Sequence, residues 1–213
     1  MMETILGLRG RDFVMLTSDT VRTKKIMVLN DEKSKIQRLT NFSMMAAAGD
    51  ASDSLQFTDF IVRNMHLYKI INSYHMSIPA VVHFTRTHLA SFLRCDTQRQ
   101  LNLLLGGFDP WTGPELHYID RFGSSTAILF GGHGAGIKFC GPIFDTLHSP
   151  YMDQREAYCI LEKCVGEIQR RLWNQRNFDV FVMDQQGITQ WETIKLQSFR
   201  KELLLKDRRK VDS

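Results

Sequence analysis

The stretch Gly131-Gly132-His133-Gly134-Ala135-Gly136 is one whose residue types invite chemistry. Clustered glycines let backbone N–H groups close around a phosphate. The run lacks the Gly-Lys-Ser/Thr ending of a phosphate loop, so it reads as a tight turn that permits close backbone approach. His133 at its centre has no marked serine or cysteine nucleophile to activate and reads as a turn or packing residue. The seven histidines are scattered without metal-ligand spacing. His83 and His88 stand five apart and do not share a helix face. The four cysteines, Cys95, Cys140, Cys159 and Cys164, contain no CxxC pair. Cys159 and Cys164 fall on different faces of a helix. Reduced thiols are expected, with no metal and no cofactor.

The chain has 213 residues, 43% hydrophobic and 23% charged, which suits a soluble globular domain with a sizeable core. The net charge of +4 is mild and weighted toward the C-terminus, and no basic–aromatic pattern of a nucleic-acid reader accompanies it. No secretory signal is expected, and no apolar run approaches the roughly 18 residues of a membrane span. Nucleic acid and membrane are therefore not expected partners.

Hydrophobic periodicity orders the elements. Ile5–Leu8 and Phe13–Leu16 read as strands around the turn Arg9-Gly10-Arg11-Asp12. Lys25–Leu29 and Ile36–Leu39 flank Asn30-Asp31-Glu32, and Phe42–Ala48 is a buried strand ending at Gly49-Asp50. Phe57, Phe60, Ile61, Met65, Tyr68 and Ile71 then keep helical spacing, capped by Ser52, Asp53 or Ser54. Ser77 caps a second helix that tolerates Pro79 in its first turn and carries Val81, Val82, Leu89, Phe92 and Leu93 on its apolar face. Strands return at Leu101–Leu105, ending in Gly106-Gly107, at Leu116–Ile119 and at Ala127–Phe130. The glycine run opens a third helix reaching Leu147. Asp153 and Glu156 form a capping box for a fourth, with Ala157, Ile160, Leu161, Cys164, Val165, Ile168 and Leu172 as its stripe. Phe178–Met183 and Ile188–Trp191 close as a hairpin. Hairpin-linked strands with helices inserted in pairs predict an α+β domain, two antiparallel sheets face to face with helices outside. The domain is expected over residues 1–193 and a basic tail over 194–213.

Several stretches resemble the proteasome beta-subunit family. They are Thr4-Ile5-Leu6-Gly7-Leu8-Arg9-Gly10, Ala48-Gly49-Asp50 leading to Gln56-Phe57, and Phe84-Thr85-Arg86. Asn102-Leu103-Leu104-Leu105-Gly106-Gly107-Phe108-Asp109, Gly113-Pro114-Glu115-Leu116-His117-Tyr118-Ile119-Asp120 and Glu167-Ile168-Gln169-Arg170-Arg171 continue the series. Each is weak alone; their order and spacing, from Glu3 to about Glu192, are specific. The opening, the 102–109 strand and the Gly-His-Gly turn are most similar to the subunit at ring position four. The resemblance implies a four-layer α-β-β-α sandwich of the N-terminal-nucleophile hydrolase type. It also implies partners: other alpha and beta subunits in stacked seven-membered rings and, indirectly, assembly chaperones and regulatory particles. The implied setting is cytoplasm and nucleus, and the implied work is degradation of ubiquitin-tagged proteins.

Active members of that family attack with the hydroxyl of an N-terminal threonine, deprotonated by its own α-amine. Aligned on Leu6, the nucleophile position holds Glu3, which has no hydroxyl, and Met1-Met2 is no propeptide. Thr4 has a hydroxyl, but its use requires cleavage after Glu3. Asp19 and Lys35 match the family's supporting aspartate and lysine, and a structural ion pair is their preferred reading over a relic site. His133 stands where active members place a serine. Arg171 and Asn174 fall near a second supporting aspartate and serine. The resemblance thus implies no catalytic residue and an inactive member that completes a ring. An active threonine protease and a free-standing binding module are the competing classes.

Overall fold

The computed structural model describes residues 3–24, 27–30, 34–93, 100–172 and 174–195. Strand β1 (Thr4–Arg9) turns at Gly10 and returns as β2 (Val14–Asp19). The pair is buried on both faces, so its sequence is nearly continuously apolar rather than alternating. Period-2 geometry divides it: Ile5, Val14 and Leu16 point one way, Leu6, Leu8, Phe13 and Met15 the other. A short hairpin, β3 (Arg22–Lys24) and β4 (Met27–Asn30), leads to β5 (Ile36–Thr40) and β6 (Ser43–Gly49). Helices α1 (Ala51–Asn72) and α2 (Ile78–Phe92) follow, then β7 (Leu101–Asp109), β8 (Gly113–Ile119), β9 (Ser125–Ala127) and β10 (Phe130–Gly134). Helices α3 (Ile137–Leu147) and α4 (Gln154–Arg171) precede the hairpin of β11 (Phe178–Asp184) and β12 (Gly187–Gln190).

One antiparallel sheet has the order β10-β1-β2-β11-β12 and the other β5-β6-β7-β8-β9. Ile5, Val14, Leu16, Met44, Leu104 and Met183 fill the space between them. The outer face of the first sheet packs on α3 and α4 through residues such as Leu6, Met15, Phe144, Leu161 and Val180. The second packs on α1 and α2 through Met45, Phe57, Ile61, Val81 and Leu103. The result is the α-β-β-α sandwich, with two antiparallel sheets flanked by helices.

Several boundaries and faces differ from the sequence expectation. The N-cap of α1 is Asp50, whose side chain accepts from Ser52 N at 3.0 Å, two residues or more before the expected caps. Strand β7 runs through Gly106-Gly107. A Cβ on Gly107 would stand 2.3 Å from Ile78 Cδ1, so this glycine admits α2 rather than a turn. The expected strand Ala127–Phe130 is broken between β9 and β10. Gly131–Gly134 is an edge strand paired with Leu6, Gly7 and their neighbours, because β1 offers an unpaired edge there. The expected core stripe of α1 is half right: Phe57, Ile61 and Met65 are buried, whereas Phe60 lies on the outer side against Phe84 and His88 and Ile71 is exposed in the last turn. Ile194, the first residue of the expected tail, is buried and exchanges two 2.9 Å backbone hydrogen bonds with Phe178. Residues 196–213, like Met1-Met2, Cys95 and the turn at 31–33, lie outside the described residues.

Candidate active-site cluster

Register brings the chemistry together. Ile5 pairs with Ser18, so Thr4 and Asp19 meet at the open end of the β1–β2 hairpin. Thr4 N donates to Asp19 Oδ1 at 2.8 Å. Lys35, just before β5, aims its ammonium at the other oxygen, 2.8 Å from Asp19 Oδ2. The same Nζ donates to Val21 O at 2.9 Å and lies 3.3 Å from Glu3 Oε1. The ammonium thus donates two hydrogen bonds and makes one longer ion contact. Glu3 Oε2 accepts from the backbone N–H of Gly49, the last residue of β6, at 3.1 Å. The side chains of Lys35, Asp19 and Glu3 are 1%, 2% and 10% exposed, so one buried cation is shared by two carboxylates.

Burial pushes the Asp19 carboxyl up to about 6. Lys35 and the Thr4 N–H pull it down without prevailing, and the Glu3 charge adds to the rise.

The groups around the head of β1 are otherwise engaged. Glu3 brings a carboxylate already engaged at both oxygens. The Thr4 hydroxyl accepts from Gly136 N at 3.0 Å, and its nitrogen is an amide donating to Asp19, not a free amine able to take a proton. A backbone N–H aimed into such a site is the donor type that stabilises a tetrahedral oxyanion, and Glu3 Oε2 occupies the one at Gly49. Gly49 and Val21 O were not anticipated as members of the cluster. The only signal was the Ala48-Gly49-Asp50 segment, which assigns no partner to the Gly49 N–H.

The other expected positions lie apart. His133 sits in β10, buried, with Nε2 3.1 Å from Leu103 O of the opposite sheet and its ring stacked on Tyr118 at 4.0 Å. It fastens the two sheets. Burial lowers its pKa to about 4, against the opposing pull of the Leu103 carbonyl, so the ring is neutral at pH 7. Arg171 ends α4 on the surface, paired with Glu167 and 5.0 Å from the Phe139 ring centroid. Asn174 is buried just beyond it. Among the described residues no group of three or more His, Cys, Asp and Glu has the geometry of a metal site. None of their helices is long and apolar enough to cross a membrane.

A family profile described as "Proteasome subunit" matches residues 2–183. The rice protein named proteasome subunit beta type-2 is 36% identical over 191 residues, covering 89% of this chain and 90% of its own length. Proteasome subunit beta type-4 of Saccharomyces cerevisiae is 34% identical over 198 residues, covering 92% of this chain and all of its own. A probable proteasome subunit beta type-4 of Schizosaccharomyces pombe is 31% identical over 189 residues, 88% of this chain and 97% of its own. With the layered fold and the cluster at the head of β1, these likenesses show that the chain belongs to the proteasome subunit family, among its beta-type members.

Proposed function

We propose that this chain is a non-catalytic, structural beta subunit of the 20S core particle, at ring position four. It completes an inner seven-membered ring that encloses the proteolysis of ubiquitin-tagged proteins. The observation that carries this reading is Glu3: a carboxylate bound to Lys35 and to the Gly49 N–H fills the position from which a hydroxyl would have to attack. Removing the nucleophile of a well-studied protease lowers turnover by about 10⁶-fold, and retained neighbours do not restore it.

The surface supports assembly as its work. Past the end of the sheet, α1 exposes Leu67, Ile70 and Ile71, with Tyr74 just beyond its end, Ile70 at 77% and Ile71 at 70%. On the opposite face, Pro142, Ile143, Leu147 and Ile194 line a groove of about 940 Å³ beside α3 and α4. Apolar surface on both outer layers suits a subunit with a neighbour on each side. The partners in this reading are the other alpha and beta subunits, and the setting is cytoplasm and nucleus.

The test is particle purification through a tag on this chain. The expected result is co-isolation of the other beta-type and alpha-type subunits with two copies of this chain per particle, and unchanged peptidase activity when Glu3→Gln replaces the wild type. A stable monomer in cells, or peptidase activity that follows the Glu3 substitution, overturns the reading.

A further inference from the structure

At the far end of β1 from the cluster, the Arg9-Gly10-Arg11 turn and the α3–α4 connection enclose a notch of about 260 Å³. Arg9, Gly10, Arg11, Leu129, Pro150 and Tyr151 line it. Five residue steps of strand lead from Thr4 to Arg9, roughly 17 Å at 3.3 Å per residue, so the notch is no part of the Glu3 site.

Several backbone groups around it are already satisfied. Arg9 N donates to Leu129 O at 2.8 Å, Gly10 N to Phe13 O at 3.0 Å, and Arg9 O is 3.0 Å from His148 Nε2. What the notch offers a visitor is its side chains. The Arg9 guanidinium has no hydrogen-bond or ion-pair partner among the described residues. Arg11 has only Asp12 beside it, 3.6 Å away with both side chains mostly in solvent, and such a contact contributes little. Leu129 and Pro150 supply an apolar wall, and Tyr151 stands 81% exposed over the opening.

We propose that this notch is a docking point for an acidic side chain presented by another protein chain, a glutamate or aspartate anchored between the two guanidinium groups and covered by the Tyr151 ring. Charge complementarity selects the occupant: two arginines against one rim aspartate leave an excess of positive charge, and a guanidinium fork pairs a carboxylate through two parallel hydrogen bonds. The volume admits one side chain, so the contact is the anchor of a larger interface whose centre uses arginine and tyrosine, the types that dominate binding hot spots. A nucleic acid would need a basic stripe along its backbone, and the notch has a single cationic point walled by apolar groups. The inference shares with the assembly reading only that the partner is a protein chain. It does not require the partner to be a ring neighbour.

The experiment places a photo-crosslinking phenylalanine at Tyr151 in the full chain, expressed in its own cells and purified in its native complexes. The expected result is a crosslink to one protein segment containing Asp or Glu. Arg9→Glu with Arg11→Glu lowers its yield about tenfold or more. Substituting Lys for the mapped acid restores the yield against the doubly reversed chain. Arg9→Gln with Arg11→Gln, with an unchanged circular dichroism melt, serves as the milder control. No crosslink, a crosslink to RNA, a crosslink to a phosphorylated residue, or one insensitive to both double substitutions overturns the proposal. The native mass of the same material reports separately on ring assembly.

Discussion

Substituting Lys35→Met isolates what holds the head of β1 in place. Lys35 Nζ has acceptors at 2.8 Å on Asp19, 2.9 Å on Val21 and 3.3 Å on Glu3, with its side chain 1% exposed. Methionine fills similar volume, so the main loss is electrostatic. Two buried carboxylates then face each other without a cation. Breaking a buried pair by removing one partner costs about 3–5 kcal/mol, because the residual charge remains desolvated. For a chain of this size that corresponds to a Tm lower by roughly 6–20 °C at about 2–4 °C per kcal/mol. Glu3→Gln should cost only about 1 kcal/mol: the amide oxygen still accepts from Gly49 N–H, and Lys35 keeps Asp19. Asp19→Asn falls between, about 2 kcal/mol, since Thr4 N–H keeps an acceptor while Lys35 keeps the Val21 carbonyl and the longer Glu3 contact. Urea denaturation of the three purified variants, with incorporation into particles measured in parallel, gives the ranking. A Lys35→Met loss under about 1 kcal/mol, or a Glu3→Gln loss exceeding it, refutes the shared-cation account.

Three further outcomes follow from named contacts. His133, held to about 4 when folded, does not take up a proton that the unfolded chain accepts at 6.5. Its contribution is present above pH 6.5 and is lost as pH falls toward 4, about 3 kcal/mol in all, so His133→Phe should flatten acid unfolding relative to the wild type. Asp19 works in the opposite direction: its raised pKa favours the fold below 3.8 and loses that contribution as pH rises through 6, which is why the comparison is made between variants. Gly134→Ala should destabilise by about 3 kcal/mol or more in a thermal melt, since its φ is +97° and a Cβ would lie 1.6 Å from Glu3 O. Ile70→Arg should leave the melt of the isolated chain within about 0.5 kcal/mol and reduce incorporation into particles on a native gel.

The layers were legible because the residues announce their faces. Ile5 against Leu6, and Val14 and Leu16 against Met15, alternate between two apolar environments, and the stripe from Ala157 to Ile168 has a single helical period. In the glycine run the close backbone approach was legible and the strand was not, since glycine marks close approach and turns alike. Gly131–Gly134 lies along β1, and only at Gly134 does φ turn positive. The exposed end of α1 was hidden for a different reason. Ile70 and Ile71 continue an apolar helix, and periodicity records hydrophobicity without recording how far the sheet beneath extends. At the cluster, the family resemblance, aligned on Leu6, pointed to Glu3, Asp19 and Lys35. The Gly49 N–H and the Val21 carbonyl were invisible because backbone groups carry no residue signature. His133 shows the same limit: its partner, Leu103 O, belongs to the facing sheet thirty positions earlier in the chain.

The decisive measurement is the intact mass of this subunit after native particles containing it are treated with a peptide epoxyketone that captures threonine nucleophiles. The expected result is an unchanged mass for this chain while threonine-active subunits in the same particles gain the inhibitor. A stoichiometric adduct mapped to Glu3 or Thr4 would contradict the claim that Glu3, engaged with Lys35 and Gly49, leaves this site without a nucleophile.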